Sequence, residues 1–416
     1  MSASPAREVS HEEALEILMR RAVAGTRTVE VATAEATGHV LAESVQSDID
    51  MPRFDKAAMD GFACRHDDPG RRGALRVVAT IAAGDRPGDC IGAGECARIM
   101  TGAPVPAGAD AVVPVEEASL VDAPDPAAAG AGEWVRFQAQ PHRGAHIATL
   151  GEHLRAGQTV LAEGHLIRPT SVSILASVGR ATVRVYAPPS IAFAATGEEL
   201  VEPGQPLAPG RIYNSNASAV HAQILRAGGR PHYLGILRDQ VPALRQAVAA
   251  GLDHDMLVLS GGVSAGSFDH VPDVLTDLGV DVHFHKVRIK PGRPVLFGTR
   301  GQTLVFGLPG NPISTVYAFD LYTAPLIRFF RHHPQPLGTR YRGELTEAVH
   351  KPSGRLLLLP CRCEWDGERY LLSPIRTRGS ADIFAIAAAD ALALIPAGVE
   401  GVEQGKPVAF RWLCKD

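Results

Sequence analysis

From residue 190 to about residue 331, short apolar runs alternate with longer segments in which apolar residues recur at helical spacing. The predicted strands lie at residues 191–195, 232–237, 256–259, 282–289, 295–298 and 303–306, and the predicted helices at 215–227, 241–251, 271–278 and 312–331. This alternation predicts an open, mostly parallel, doubly wound sheet with helices on both faces. Ligands of such domains bind at the carboxyl ends of the strands.

The rest of the chain has a different pattern. Ser10 and Glu13 form a capping box for a helix that is predicted to run to about Val23. From residue 51 to about residue 151, short β-like runs are separated by Pro and Gly, which predicts a small β-rich domain. Further short β-like runs after Leu337 predict a C-terminal β domain.

Length and pattern together predict an α/β multidomain protein, because 416 residues are too many for one ordinary hydrophobic core. We expect a small N-terminal helical and mixed domain formed by residues 8–50 together with residues 152–186. We expect a β-rich inserted domain at 51–151, a central α/β domain at 187–333 and a C-terminal β domain at 337–416.

The composition argues against several classes of function. The formal net charge is −4, so no global basic field would attract nucleic acid. No uninterrupted apolar run approaches the ~18 residues of a membrane span, and the first residues lack the apolar core of a signal peptide. We therefore expect a cytoplasmic protein that binds neither nucleic acid nor membranes. The cysteines contain no C-x₂-C pair, which favours buried reduced thiols over a zinc site.

Three turns rich in Gly, Pro and Ser each follow an apolar, strand-like run, at residues 260–266, 290–294 and 307–312. Glycine lets backbone N–H groups approach a ligand closely, and successive N–H groups in such turns form anion-binding concavities. Lys290 and Arg293 are expected to add positive charge beside them. The pattern indicates a site for an anionic, phosphorylated ligand.

Seven phrases, in order along nearly the whole chain, resemble the molybdopterin molybdenumtransferase family, which includes MoeA and the gephyrin E-domain. They lie at residues 54–63, 98–106, 196–200, 235–239, 260–269, 290–292 and 307–312. The resemblance implies the insertion of molybdate into adenylylated molybdopterin, with release of AMP, to give molybdenum cofactor. It also implies Mg²⁺ near the pyrophosphate, and a homodimer whose site lies between the α/β domain of one subunit and the β-rich domain of its partner. A molybdopterin adenylyltransferase is a further candidate partner.

The resemblance assigns catalytic roles to Asp60, Thr101, Glu199, Asp239, Asp269, Lys286 and Lys290. Glu199, Asp239 and Asp269 each follow a predicted strand, and three acidic groups beside anion-binding loops suggest a cation between them. Other roles stay open. Asp239 and Asp269 would also serve as helix caps, Glu199 as a solvated loop residue and Asp60 as the acceptor of an Asx-turn. The Thr101 hydroxyl would bond either a phosphate or the local backbone.

Lys290 resembles the oxyanion-binding lysine of the family. Strand alternation would place Lys286 on the same face as Lys290, which suits a tetrahedral anion. Ser380 resembles a C-terminal-domain serine near the molybdate, and Arg355 and Arg362 are both candidates for the arginine beside it. The predicted cofactor-binding residues are Thr196, Gly197, Ser260, Gly261, Gly262, Ser264, Gly266, Pro291, Gly292, Pro309, Gly310, Asn311, Pro312 and Ser380.

The chain departs from the family pattern in three places. The family usually has an Arg-rich run followed by Gly-Glu-Asp, whereas residues 147–153 here read Ile-Ala-Thr-Leu-Gly-Glu-His. The family's Ser before Ala-Met-Asp-Gly is Ala57, and its Thr-Gly-Asp-Glu has Glu198 as the third residue.

The ligand loops are intact, so a catalytically weakened paralogue that acts as a pterin-cofactor carrier or scaffold is the main alternative. An adenylyltransferase is a weaker one, because such relatives lack segments equivalent to 51–151 and 337–416.

His153 stands where the family has an aspartate, which gives a direct test of the departure. An imidazole lacks the charge of a carboxylate and its preference for Mg²⁺. If the position is degraded, His153→Asp should raise the rate of molybdenum insertion by the purified protein. A lower rate would show instead that the histidine is integrated into a working site.

Overall fold

The computed structural model describes residues 7–86, 90–124, 132–238, 240–263, 270–350 and 354–413. The α-helices are α1 (His11–Arg21), α2 (Asp68–Arg72), α3 (Pro169–Ser177), α4 (Ser215–Ala227), α5 (Val241–Gly251), α6 (Val271–Asp277), α7 (Pro312–Ala318) and α8 (Ala324–Phe330). The strands up to residue 190 are β1 (Glu8–Val9), β2 (Thr28–Ala32), β3 (Val45–Gln46), β4 (Lys56–Ala57), β5 (Gly61–Cys64), β6 (Leu75–Ile81), β7 (Glu95–Ile99), β8 (Ala111–Pro114), β9 (Ala118–Val121), β10 (Trp134–Phe137), β11 (Ile147–Ala148), β12 (Thr159–Leu161) and β13 (Thr182–Tyr186). The later strands are β14 (Ser190–Thr196), β15 (Leu200–Val201), β16 (Ile212–Tyr213), β17 (Arg230–Leu237), β18 (Met256–Ser260), β19 (Asp281–Phe284), β20 (Lys286–Val287), β21 (Ile289–Lys290), β22 (Leu296–Arg300), β23 (Thr303–Leu308), β24 (Tyr341–Leu345), β25 (Leu356–Trp365), β26 (Tyr370–Pro374), β27 (Ala391–Ile395) and β28 (Pro407–Trp412).

The chain forms two compact units. The large unit comprises Met1–Glu43, Glu163–Val172 and Ala181–Asp416, and the β-rich unit comprises Ser44–Ala162 and Ser173–Arg180. The finer division into four domains stays a prediction.

The centre of the large unit is a six-stranded sheet with the strand order β17-β14-β18-β23-β22-β19. The first four strands run parallel to one another, and β22 is antiparallel to both of its neighbours. Every residue of β18 is buried, as expected for a parallel strand that is covered on both faces. The predicted mostly parallel, doubly wound sheet is confirmed.

Alternate residues of the central strands pack into two separate hydrophobic clusters. Phe193, Val258 and Phe306 lie side by side in register and belong to the cluster that contains buried residues of α1, α4, α7 and α8. Their neighbours in β14, β18 and β23, such as Leu257 and Val305, belong to the cluster that contains buried residues of α5 and α6. Helices therefore cover both faces of the sheet, and the strand ends are left to carry the loops.

The C-terminal strands form a second sheet with the order β21-β25-β26-β24-β28-β27. A further pairing between β25 and β27 closes these strands into a barrel, with β21 joined at the edge of β25. Cys361 and Cys363 are reduced and buried in the barrel core, and burial raises the pKa of the Cys361 thiol to about 12. The predicted C-terminal β structure is confirmed. The prediction of buried reduced thiols holds for Cys64, Cys96, Cys361 and Cys363, is wrong for Cys90, which is exposed, and falls outside the described residues for Cys414.

The β-rich unit contains a six-stranded sheet with the order β8-β5-β7-β6-β10-β9. Two short antiparallel pairs, β11 with β4 and β12 with β3, complete its strands among the described residues. The prediction of β-rich structure in this part of the chain is confirmed.

Two predicted elements are divided in the structure. The single strand predicted at residues 282–289 is wrong, because β19 belongs to the central sheet, β20 pairs with β1, and β21 pairs with β25. Alternating burial does not reveal a change of partner strand. The long helix predicted at residues 312–331 is interrupted between α7 and α8 by the π-helical turn Phe319–Thr323. Pro325 follows this turn and has no N–H group to continue the regular hydrogen-bond ladder.

The N-terminal helix begins as predicted. The Ser10 Oγ accepts a hydrogen bond from the Glu13 backbone N–H at 3.0 Å, so Ser10 is the N-cap of α1. The buried face of this helix packs against the central core through Ala14 and Leu18. Among the described residues, no helix combines the length and the apolar composition that a membrane span requires.

A buried carboxylate, Asp320 in the π-helical turn, connects the central sheet domain with the C-terminal barrel. The Arg226 Nη2 of α4 donates to its Oδ1 at 2.9 Å, and the Arg411 Nη2 of β28 lies 3.5 Å from its Oδ2. Only 4% of the Asp320 side chain and 9% of the Arg411 side chain are exposed. Removing one member of a buried ion pair leaves an uncompensated buried charge, which costs several kcal/mol.

We expect Asp320→Ala to destabilise the protein by about 3–5 kcal/mol, because Arg411 would stay buried without its carboxylate. The measurement is urea unfolding followed by circular dichroism. Asp277→Ala is the matched control, because its ion pair with Arg245 is exposed and should be worth less than about 1 kcal/mol. Equal losses in the two variants would contradict the role of Asp320.

Candidate active site

The predicted ligand loops leave adjacent strands at one edge of the central sheet. β14 ends at Thr196, β18 at Ser260 and β23 at Leu308. Ser260 lies opposite Ala195 on one side and opposite Leu308 on the other. Because the three strands are parallel, the loops that follow them converge. This agrees with the prediction for the turns after β18 and β23, whereas the turn at 290–294 follows β21 of the C-terminal sheet, so its predicted place at the end of a central strand is wrong.

A cavity of about 320 Å³ lies at this edge. Its walls come from the strand ends and from the loops after them, and they include Thr196, Gly197, Glu199, Asn216, Ser260, Gly261, Gly262, Pro309 and Gly310. Glu199 is an exposed residue on this wall. Most of the predicted cofactor-binding residues of the first and third loops are therefore brought together.

Gly261 and Gly262 are required both by their backbone conformation and by the space around them. Their φ angles are +89° and +64°, which glycine adopts without strain. A Cβ atom on Gly261 would lie 2.6 Å from the Thr196 carbonyl oxygen, and one on Gly262 would lie 2.7 Å from the Thr196 Oγ1. The Gly-Gly turn thus rests directly on the end of β14. The Thr196 Oγ1 is buried beneath it, with no hydrogen-bond partner among the described residues.

Asn216, which was not among the predicted site residues, links two of the loops by hydrogen bonds. It lies in the first turn of α4, where the Asn214 side chain caps the helix by accepting from the Ala217 N–H at 3.1 Å. The Asn216 Nδ2 donates to the Ser260 Oγ at 2.9 Å and to the Gly310 carbonyl oxygen at 2.8 Å. The signal in the sequence is the polar run Asn214-Ser215-Asn216 at the start of a helix.

A larger groove of about 750 Å³ shares the walls at Glu199, Asn216 and Gly310 and continues to Lys290 and Ser380. Its walls also include Pro291, Gly292, Asn311 and Pro312, so the second predicted loop and the C-terminal serine join the same site. The Asn311 Nδ2 donates to the Ser380 Oγ at 2.7 Å, and the Ile313 N–H donates to the Ser380 carbonyl oxygen at 3.1 Å. These bonds fix Ser380 against the loop that follows β23.

A third cavity, of about 560 Å³, meets the groove at Lys290, Pro291 and Ser380. Its far wall is formed by the C-terminal barrel and includes Arg376. The candidates Arg355 and Arg362 do not line it, and Arg362 is an exposed residue of β25. Arg376 lines the same cavity as Ser380 because both lie in the segment that follows β26. The spacing of the arginines in the sequence does not show this.

Two of the predicted positive charges lie elsewhere. The Arg293 Nε donates to the Glu8 Oε1 at 2.7 Å, and this hydrogen bond lowers the pKa of the Glu8 carboxyl below its ordinary value. Lys286 lies opposite Glu8 in the β1–β20 pair and lines none of these three cavities. The prediction that Lys286 and Lys290 share one strand face is wrong, because the chain changes sheets between them.

Comparison with known proteins agrees with this geometry. Residues 9–179 match the family model "MoeA N-terminal region (domain I and II)", residues 192–328 match "Probable molybdopterin binding domain", and residues 342–412 match "MoeA C-terminal region (domain IV)". The molybdopterin molybdenumtransferase of Bacillus subtilis is 33% identical over 384 residues, which cover 91% of this chain and 88% of the relative. The chain belongs to the molybdopterin molybdenumtransferase (MoeA) family.

Other relatives extend the comparison. The molybdopterin molybdenumtransferase of Nostoc is 31% identical over 90% of this chain and 86% of its own length. A crystal structure of the molybdopterin biosynthesis MoeA protein from Pyrococcus horikoshii has a TM-score of 0.81 at 30% identity, and it covers 99% of this chain and 100% of that one. The MoeA fold is therefore shared along nearly the entire chain.

In the β-rich unit of this MoeA-family chain, Asp60 and Thr101 form a hydrogen-bonded pair. The backbone N–H and the hydroxyl of Thr101 both donate to the Asp60 Oδ1, each at 2.6 Å. These bonds hold the pKa of the Asp60 carboxyl below its ordinary value, with the hydroxyl bond contributing most. The Thr101 hydroxyl therefore bonds a carboxylate here, which neither of its two predicted roles included.

Two of the three departures from the MoeA pattern are adjacent in space. Ala57 of β4 lies opposite Ile147 of β11, so the missing serine faces the start of the altered run. Ala57 is buried among apolar residues, where a serine hydroxyl would need a hydrogen-bond partner. His153 is exposed and is held through its backbone N–H, which donates to the Met51 carbonyl oxygen at 2.9 Å.

Asp239, Ser264, Gly266 and Asp269 lie outside the described residues, so their predicted roles stay predictions. Within the part of the chain that the structure describes, no group of three His, Cys, Asp or Glu side chains is placed to hold a metal ion.

We expect Thr101→Val to raise the pKa of the Asp60 carboxyl part of the way toward its ordinary value, because valine keeps the shape and removes the hydroxyl donor. The backbone N–H of residue 101 would still donate, so the rise should be incomplete. The measurement is a titration of ¹³C-labelled carboxyl groups by NMR. Asp366, whose lowered pKa depends on backbone N–H donors of its own loop, is the internal control. An unchanged pKa of Asp60 would contradict this account.

Proposed function

We propose that this chain inserts molybdate into adenylylated molybdopterin, releases AMP and yields molybdenum cofactor. The proposal rests on the continuous groove that joins the Gly261–Gly262 turn to Lys290 and then to Ser380 and Arg376. A pterin nucleotide is an elongated ligand, and a groove with a narrow glycine-lined end and a cationic end suits it. Membership of the molybdopterin molybdenumtransferase family supports the same activity.

The cationic end of the groove suits the oxyanion. Lys290 and Arg376 bring positive charge to the third cavity, and Glu347 lies on its wall as well. The Ser380 Oγ accepts a hydrogen bond from Asn311, so its own hydrogen stays available to donate to an anion. Charge-assisted hydrogen bonds from such donors bind a tetrahedral dianion well, and they do not distinguish molybdate from tungstate.

The other end of the groove suits a hydrated cation. Mg²⁺ usually keeps several waters and takes one or two carboxylates together with substrate phosphates, so the single described carboxylate in the narrow cavity, that of Glu199, fits it. We assign Asp239 and Asp269 as its further ligands by resemblance to the family. When bound, the cation would offset negative charge on the phosphoanhydride as the AMP leaves.

The chain's own residues orient the reactants. Lys290 and Ser380 hold the oxyanion, and the Gly261–Gly262 turn lets the ligand approach the backbone at the strand ends. We assign Asp60 and Thr101 to the same reaction as the contribution of the second subunit in a cytoplasmic homodimer. The Thr101 bonds keep the Asp60 carboxyl ionised, as a base or a cation ligand requires.

We expect the purified protein, with adenylylated molybdopterin and Mg²⁺, to release AMP only when molybdate is added. In the same assay, Asp269→Asn should lower turnover far more than it lowers affinity for the pterin nucleotide, because the charge acts mainly as the bond breaks. Asp277→Asn is the matched control, since its carboxylate is exposed and pairs with Arg245 outside the groove.

Molybdate-dependent AMP release would establish the insertase. Tight binding of adenylylated molybdopterin without AMP release would favour the carrier or scaffold instead, and it would direct attention to Ala57 and His153. Unchanged turnover in Asp269→Asn would remove Asp269 from the mechanism.

A further inference from the structure

We propose that Asn216 positions the ligand loops and determines specificity at the narrow end of the groove. Its amide nitrogen fixes the spacing of two loops, and its carbonyl oxygen recognises an N–H or O–H donor of the pterin nucleotide. The inference rests on the proposed function, which it refines by assigning this residue and the chemistry that it recognises.

The orientation of the Asn216 amide follows from its partners. The Gly310 carbonyl oxygen can only accept, so the side-chain atom 2.8 Å from it is the Nδ2 nitrogen. The same nitrogen donates to the Ser260 Oγ at 2.9 Å. Both amide hydrogens are thus used within the protein. Asn216 is half-buried and lines both the narrow cavity and the groove. Among the described residues no donor bonds its Oδ1, so this is the side-chain atom that we assign to the ligand.

The Ser260 hydroxyl is also committed to the protein. Its oxygen accepts from Asn216, and its hydrogen points to the Pro309 carbonyl oxygen at 3.4 Å. Pro309 in turn accepts from the Thr315 Oγ1 at 2.5 Å. Helix α4, the end of β18 and the loop after β23 are therefore cross-linked by one hydrogen-bond network. Ser260, predicted as a ligand contact, acts through its backbone position and through this network.

The charge of the narrow cavity supports recognition of a donor. Among the described residues that line it, none is Lys or Arg, and its charged side chain is that of Glu199. Pro294 and Pro309 on its wall have no N–H group to offer. With its amide hydrogens used, Asn216 presents an acceptor beside the Glu199 carboxylate. These two acceptors favour an N–H or O–H group of the ligand at this part of the wall.

Lys290 lines the groove, and Arg376 lines the third cavity, whose walls also include Glu347. Among the described residues, lysine and arginine are therefore found beside the barrel and not in the narrow cavity. A ring N–H of the pterin and a hydroxyl or amino group of the nucleotide share the required donor chemistry. Binding of the separate fragments distinguishes these two sources.

The test compares wild type with Asn216→Ala, using Ser218→Ala as the control because Ser218 is exposed on the same helix. We expect Asn216→Ala to raise the KM for adenylylated molybdopterin roughly tenfold, as the loss of an acceptor and of two loop bonds suggests. The KM for molybdate should stay unchanged, because Lys290 and Ser380 are untouched. Molybdopterin and AMP are the two fragments of the ligand, and the affinity for each is measured separately by equilibrium binding. Asn216→Ala should bind more weakly whichever of the two carries the donor.

A second variant tests the loop network. Ser260→Ala removes the partner of one amide hydrogen, so its effect on the KM should be far from additive with that of Asn216→Ala. Additive effects would overturn the shared network. If Asn216→Ala fails to fold, Asn216→Ser, which keeps a small polar side chain, takes its place.

An unchanged KM for the pterin nucleotide, or equal increases in both KM values, would overturn the inference. The absence of AMP release by the wild type would be a failure of the proposed function instead. Equilibrium binding of adenylylated molybdopterin to wild type and to Asn216→Ala would then decide the present inference on its own. Equal affinities would refute it, and weaker binding by the variant would support it.

Discussion

The contact between the Gly261–Gly262 turn and the end of β14 is the constraint on which the site depends. A Cβ atom at either glycine would collide with Thr196, so only glycine allows the turn to rest on the neighbouring strand end. The close contact brings the loops after β14, β18 and β23 within reach of one another, and Asn216 then links two of them. A side chain in this turn would separate the walls of the cavity before it touched any ligand.

Helix α4 connects this site with the buried ion pairs of Asp320, which join the central sheet domain to the C-terminal barrel. Asn216 at its start bonds the ligand loops, and Arg226 at its end bonds the buried Asp320, which also faces Arg411 of the barrel. Because Ser380 and Arg376 reach the groove from the C-terminal part of the chain, the cationic end depends on how that part is held. The stability of the Asp320 ion pairs and the geometry of the groove therefore both depend on the position of α4.

Many elements could be predicted from sequence because their signals are local. The N-cap at Ser10 and the helix over residues 215–227 depend on hydrogen bonds and apolar spacing within a few residues, and both are present as expected. The other half of the predicted capping box differs, because the Glu13 carboxylate pairs with Arg7. The convergence of the turns after β18 and β23 was also predictable, since parallel strands bring their carboxyl ends to one edge, whereas the turn at 290–294 follows a strand of the other sheet. The sequence did not show that Arg293 bonds Glu8, because a charged side chain takes its partner from a distant part of the chain. Nor did it show that Lys286 and Lys290 lie on strands of different sheets.

The sequence by itself determined the family, the doubly wound sheet, and the presence of glycine, lysine and carboxylate residues in the ligand loops. Each of these depends on residues that are close together along the chain. Tertiary structure alone decided which polar groups remain free for a ligand. Asn216 donates to Ser260 and to Gly310, and Ser260 donates to Pro309, across 44 to 94 residues of sequence. Arg376, and neither Arg355 nor Arg362, lines the cavity that Ser380 also lines. The physical reason is that hydrogen bonds are exclusive, so what a side chain offers depends on neighbours that only folding brings together.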